Sequence, residues 1–228
     1  MKSKLNYSED GYREHVEKSI SFVGLGVDFF TQAKARHLLR VAKRHLGNLS
    51  DVVALDVGCG VGLTDHLLSD SLGTLHGADL DERAIESASK ANPSAHYHTY
   101  DGETLPFPDD TFDLVFAINV MHHVPPKNWD SFTLEMRRVV KTGGLVMVFE
   151  HNPINPLTQL AVFRCSFDGD AVLLSSRTIE HIFVRSGMTL VEKNYILFFP
   201  LRSKVFGKAE EHLGWLPLGA QYYVAATK

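Results

Sequence analysis

From Asp51 onward, short apolar runs alternate with stretches whose apolar residues recur every three or four positions. Runs of the first kind suit buried strands, and stretches of the second suit amphipathic helices. Strands are expected at Val52–Val57, Leu75–Leu80, His96–Tyr100, Phe112–Val120 and Leu145–Glu150. Helices are expected between them at Leu63–Ser71, Glu82–Ala91 and Trp129–Lys141. Asp81 is placed to cap the second of these helices, Asn92-Pro93 to stop it, and Thr142-Gly143-Gly144 to close the third. Phe112–Val120 is almost wholly apolar, as a strand covered on both faces should be. Such alternation predicts a parallel sheet with right-handed crossovers.

Both flanks depart from this rhythm. Residues 1–20 show no clear period, although Tyr7, Tyr12 and Val16 are spaced as one helical face, and they are either a solvated lead-in or a lid. Residues 21–30 are apolar with two glycines and read as a loop able to close over a substrate. Thr31–Leu46 reads as a helix with Ala35, Leu38, Leu39, Ala42 and Leu46 inward and Lys34, Arg36, Arg40, Lys43 and Arg44 on a solvated basic face. Gly47-Asn48 ends it. After the fifth strand come two Asn-Pro steps, which disfavour helix. A short amphipathic helix is expected at Leu157–Phe167, another helix at Ser176–Ser186, and strands at Met188–Phe199 and Tyr222–Thr227.

The candidate chemistry centres on Asp56-Val-Gly-Cys-Gly-Val-Gly62, a turn between the first strand and its helix. Glycines let a ligand approach the backbone, and a helix start offers free N–H groups. Asp79 lies 23 residues beyond Asp56, a spacing at which an acidic side chain commonly accepts bonds from a ribose. A dinucleotide fingerprint would need glycine at Leu63, which disfavours a nicotinamide oxidoreductase. Together with Tyr100-Asp-Gly-Glu103 and Phe112-Asp-Leu-Val-Phe-Ala117, the turn resembles class I S-adenosylmethionine-dependent methyltransferases, of the kind grouped as methyltransferase type 11, over residues 50–150.

That resemblance implies an α/β, Rossmann-like, doubly wound sheet of seven mostly parallel strands, the last one antiparallel. It implies a single methyltransferase domain over 1–228, a helical lid region over 1–46, and substrate-site insertions at 152–175 and 200–221. It also implies S-adenosylmethionine as cofactor. Asp56, Gly58, Cys59, Gly60 and Gly62 would cradle the amino-acid tail and ribose. Asp79 would bond the ribose diol, Leu80 would cover the adenine, Asp101 beside Gly102 would bond the adenine amino group, and Asn119 would sit near the sulfonium. More weakly, Glu150-His-Asn-Pro-x-Asn-Pro-x-Thr158 with Cys165-x-Phe-Asp168 looks like bacterial methyltransferases of surface-polysaccharide and secondary-metabolite pathways.

Methyl transfer to a hydroxyl needs a base over the ends of the fourth and fifth strands. His151 is the first candidate and His123 the second, with Glu150 expected to point away from His151 because strand neighbours alternate faces. A sugar or secondary-metabolite hydroxyl is the expected acceptor, and a non-catalytic cofactor-binding module is the alternative. Phe22, Phe29, Phe30, Phe163, Phe167 and Trp215 could line an apolar pocket.

Composition narrows the reading a little further. A net charge of −4 with mixed signs gives no footprint for nucleic acid. No apolar run reaches membrane-span length, no signal-peptide core is present, and two cysteines make no disulfide framework, so a cytoplasmic enzyme is expected. Of the 12 histidines, His122 and His123 are adjacent and expected to point different ways, so no metal is expected.

Overall fold

The computed structural model describes residues 11, 17–20, 26–165, 168–169, 171–198 and 212–228. Seven strands form one sheet: β1 (Val53–Val57), β2 (Thr74–Asp79), β3 (His96–Thr99), β4 (Phe112–Ile118), β5 (Val140–His151), β6 (Thr189–Ile196) and β7 (Gln221–Thr227). Their spatial order is β3-β2-β1-β4-β5-β7-β6. The ladders from β3 through β5 are parallel, and β7 runs antiparallel to both β5 and β6. This is the doubly wound sheet that the alternation predicts, with its last strand reversed.

The helices are α1 (Val27–Leu46), α2 (Asp65–Leu68), α3 (Glu82–Ala91), α4 (Trp129–Val139), α5 (Pro156–Arg164) and α6 (Ser176–Arg185). Period-two burial splits the central strands between two cores. Val146 and Val148 of β5 join Tyr222 and Val224 of β7 in a core covered by α4 and α6. Leu145, Met147 and Phe149 join Tyr223 and Ala225 in the other, covered by Leu38, Val41 and Ala42 of α1.

Several boundaries differ from expectation. Helix α1 begins at Val27 rather than Thr31, so Phe29 and Phe30 are helical and pack edge to face at 5.4 Å. This helix is a layer of the core, which confines any lid role to the residues before it. Lys34 does not lie on a solvated face but is 7% exposed, and Arg40 and Arg44 both reach Glu192 of β6 at 2.7 Å. The α1 surface therefore has two neighbours, the sheet face and the edge strand, and one helical period cannot reveal the second.

Helix α2 covers only four of the nine residues expected. Bonds of the i→i−3 type at Leu67 and Ser71 tighten the chain at both its ends. Strand β5 begins five residues early because Val140 is buried opposite Phe112, which pulls the end of α4 into the ladder. Residues 141–144 form an excursion before pairing resumes at Leu145.

Helix α5 starts at Pro156, with the Asn155 side chain accepting from the N–H groups of Leu157 and Thr158. It is not amphipathic toward the core. Leu157 and Leu160 are exposed, and Phe163 is 88% exposed. Trp215 is likewise 74% exposed. Tyr7, Tyr12, Val16, Phe22, Phe167 and most of 200–221 lie outside the described residues.

Candidate active site

The glycine turn leaves β1 and folds back on its neighbour, with the N–H groups of Gly58 and Cys59 both donating to the Ala78 carbonyl of β2. A side chain at Gly58 would put its Cβ 2.5 Å from Val120, and one at Gly62 would put its Cβ 2.5 Å from the Asn92 amide. Both residues have positive φ, so glycine is required twice over. Beyond Gly60 there is open space, the side on which a ligand can lie. The Gly60 N–H donates to Asp79 Oδ2 at 2.9 Å, and the Asp81 N–H donates to Oδ1 at 3.0 Å. The ribose-binding candidate is thus held rigidly by the turn it serves, with lone pairs remaining for a ligand.

Beneath the turn lies a network not evident from the pattern. Tyr97 donates to Asp65 at 2.8 Å, and Asn92 donates to the Gly62 carbonyl at 3.0 Å and to the Tyr97 oxygen at 3.1 Å. Asp56 and Asp65 are both buried, close enough to act on one another's charge. Burial, with the Asp65 charge next, holds the Asp56 carboxyl well above the usual range, and burial also raises Asp65. The pair forms the floor of the turn. Burial pushes the Cys59 thiol up as well, which makes it a poor nucleophile.

The other cofactor candidates surround this turn. Leu80 is 61% exposed, and Gly102 faces it closely enough that a Cβ there would lie 3.0 Å from its tip. Asp101 accepts from the N–H groups of Glu103 and Thr104, and these bonds lower its carboxyl. Asn119 follows β4 with φ +57°, and its buried Oδ1 has no hydrogen-bond partner among the described residues. An orphaned acceptor at a strand end, beside an open glycine turn, fits the cationic amino-acid tail of the cofactor.

Residues 55–148 match the family of methyltransferase domains. A Synechocystis protein named as the uncharacterized methyltransferase sll0829 is 31% identical over 61% of this chain and 68% of its own length. The chain belongs to the class I S-adenosylmethionine-dependent methyltransferases. Its cofactor is S-adenosylmethionine. A 2-methyl-6-phytyl-1,4-hydroquinone methyltransferase from Synechocystis is 33% identical over 43% of this chain, a match that spans only 31% of that enzyme. The fold is shared with magnesium protoporphyrin IX methyltransferase of Synechocystis, solved with bound S-adenosylhomocysteine. That structure has a TM-score of 0.65 at 17% identity and covers 93% of this chain and 87% of its own.

In this methyltransferase a histidine cluster lies at the ends of β4 and β5. His122 and His123 lie in a 3-10 turn, Met121–His123. They do not diverge, because Nε2 of each is 3.5 Å from Asp168 Oδ1 and their rings lie 4.1 Å apart. In a tight turn neighbouring side chains do not alternate as in a strand, and a later segment supplies the point on which they converge.

His122 is 1% exposed and bonds Glu150 through Nδ1 at 2.6 Å. Burial alone would lower its imidazole, but Glu150, with Asp168 behind it, raises it to about 10. Glu150, also buried, is held below its ordinary value against that burial by His122. Glu150 and His151 therefore both face His122, whose ring is 5.2 Å from that of His151, and the expected divergence fails at the strand end. Burial, with the neighbouring His122 next, lowers His151 to about 4. Its Nδ1 is 3.3 Å from the Gln221 amide. Lys34 is also lowered by burial, to about 8, with Glu150 and Asp56 as its counter-charges. Lys34, Asp65, Tyr97 and Gln221, and the pairing of His122 with Glu150 and Asp168, are the features of the candidate site that the sequence pattern misses.

Proposed function

We propose that this chain transfers the methyl group of S-adenosylmethionine to a hydroxyl of a small molecule, a sugar or a secondary metabolite. The observation that supports this most is His151, a neutral imidazole where β5 ends, beside the strand end that carries Asn119. The bound cofactor supplies an activated methyl group, so the chain's task is to position the acceptor and receive its proton. Gly58, Cys59, Gly60 and Gly62 would hold the tail and ribose backbone, with Asp56 beneath them and Asn119 Oδ1 receiving the ammonium. Asp79 would take the ribose diol, Leu80 one adenine face, and Asp101 beside Gly102 the adenine amino group.

The proton accounting favours His151. Gln221 Oε1 is buried without a hydrogen-bond partner among the described residues. If its amide is turned so that this oxygen accepts from His151 Nδ1–H, the oxygen gains a partner and His151 Nε2 keeps its lone pair. As oxygen attacks the methyl carbon, its O–H proton passes to Nε2, giving an imidazolium beside Glu150. His123 is the second candidate, half-exposed on the acceptor side. Residues 152–175 and 200–221, with the first 30, would build the acceptor pocket. The location we propose is the cytoplasm; among the described residues no helix is long and apolar enough to cross a membrane.

Methyl transfer onto a panel of sugars and phenols tests the acceptor class. With an acceptor found, His151→Ala should lower kcat by roughly 10²–10⁴ while S-adenosylhomocysteine binds as before. Near-normal kcat would make His151 a strand-end residue and direct the same experiment to His123.

A further inference from the structure

His122, His123 and Asp168 have a consequence that proton transfer does not use. The three donor atoms, two imidazole Nε2 and one carboxylate oxygen, all lie within 4.8 Å of one another. Nε2 of each histidine is 3.5 Å from Asp168 Oδ1. Ligands about 2.1 Å from a common divalent ion stand about 3.0–3.5 Å apart. The cluster therefore needs only a small rotation of the half-exposed His123 to close around an ion.

A second observation points the same way. His122 is buried, and its Nε2 meets Asp168 Oδ1 at 3.5 Å, the outer limit of a hydrogen bond, with no shorter partner among the described residues. Its other nitrogen is held by Glu150 at 2.6 Å. A carboxylate on one imidazole nitrogen, leaving the other aimed at a carboxylate and a second imidazole, is how metal-binding histidines are oriented.

We propose that His122 Nε2, His123 Nε2 and Asp168 Oδ1 bind a first-row divalent metal ion, with Glu150 as the residue that orients His122. Two nitrogens and one carboxylate oxygen suit zinc, cobalt, iron(II) or manganese better than magnesium or calcium, which take mainly oxygen. On binding, the ion replaces any proton on His122 Nε2, which leaves to solvent. Three protein ligands leave coordination positions open. In that position the ion would hold the acceptor hydroxyl and lower its pKa; this role rests on the hydroxyl reading, whereas the binding itself does not.

The test uses the full chain without a histidine tag, stripped with chelator and titrated with Co²⁺. The visible absorption bands and calorimetry give the coordination and stoichiometry. One ion per chain is expected, with bands characteristic of nitrogen ligation. His123→Ala and Asp168→Asn should each weaken binding at least about 10-fold, and Glu150→Gln by roughly 10–100-fold. S-adenosylhomocysteine binding should persist in the first two variants, which shows that they are folded and separates this site from the cofactor site. No saturable binding to the unmodified chain, or equal Co²⁺ affinity in the His123→Ala/Asp168→Asn double variant, would overturn the proposal and leave Glu150–His122–Asp168 as an ion-paired triad. Co²⁺ binding without transfer to any hydroxyl would uphold the metal site and sink the acceptor reading instead.

Discussion

Asp79 is the proposed cofactor residue held most firmly by its own bonds. Its carboxylate already accepts from Gly60 and Asp81, so it is aimed before any ligand arrives. Such preorganisation reduces the ordering cost of binding. Asp79→Ala should weaken S-adenosylhomocysteine binding by about 2 kcal/mol, roughly 30-fold, through loss of hydrogen bonds to a charged acceptor. Unchanged affinity in calorimetry would remove Asp79 from the site. The acidic spacing made this residue legible from the sequence. The same cannot be said of His122, because 28 residues separate it from Glu150, and no local pattern encodes a pairing across two strand ends.

Helix α1 carries the clearest pH dependence at the scale of an element. Burial, with Arg40 and Arg36 next, lowers His37 from 6.5 to about 4. Its Nδ1 is buried without a hydrogen-bond partner among the described residues, and its ring lies 5.7 Å from that of Tyr223. A depressed folded value means that the unfolded chain binds the proton more readily. The contribution of His37 is fully present above pH 6.5, erodes as pH falls from 6.5 toward 4, and does not change further below 4. Denaturant unfolding of the wild type and His37→Gln, followed across this window, should show the wild type losing more stability with acid. Parallel pH profiles would mean that His37 titrates alike in both states. The hydrophobic period of α1 predicted its inward face. The burial of Lys34 followed only from the acidic floor made by Asp56 and Glu150, which local periodicity does not contain.

For the whole molecule, the proposed reading divides the sheet into a cofactor half and an acceptor half. The β1–β2 side carries the glycine turn and Asp79, while the β4–β5 side carries the histidines. Exposed apolar residues of α5 stand beside the segment ending at β7, with Asn152, Asn155 and Thr158 bonding the carbonyls of residues 217–220. If the first residues also belong to the acceptor half, deleting 1–20 should lower turnover more than cofactor affinity, since α1 and its core contacts remain. Kinetics and calorimetry on the truncated chain decide this. An equal fall in both would make the segment a cofactor lid or a folding element.

What the sequence by itself determined is local. The strand and helix alternation, the Asp56–Gly62 turn, the Asp79 position and the reversed last strand each follow from period, spacing or family resemblance. Where local and long-range demands coincide, as at Glu82–Ala91, even the boundaries agree. The tertiary structure decided what depends on partners distant in the chain. Val140 became strand because Phe112 was there to pair with it, and α2 stayed short within a turn whose first residue, Asp65, is tied to Tyr97. His122, Glu150 and Asp168 met because a 3-10 turn, a strand end and a later segment converge on one point. Gln221 faces His151 across an antiparallel ladder joining residues 70 positions apart. Burial and electrostatics act through space, so the chemistry of the histidine cluster was set only once the sheet had brought these segments together.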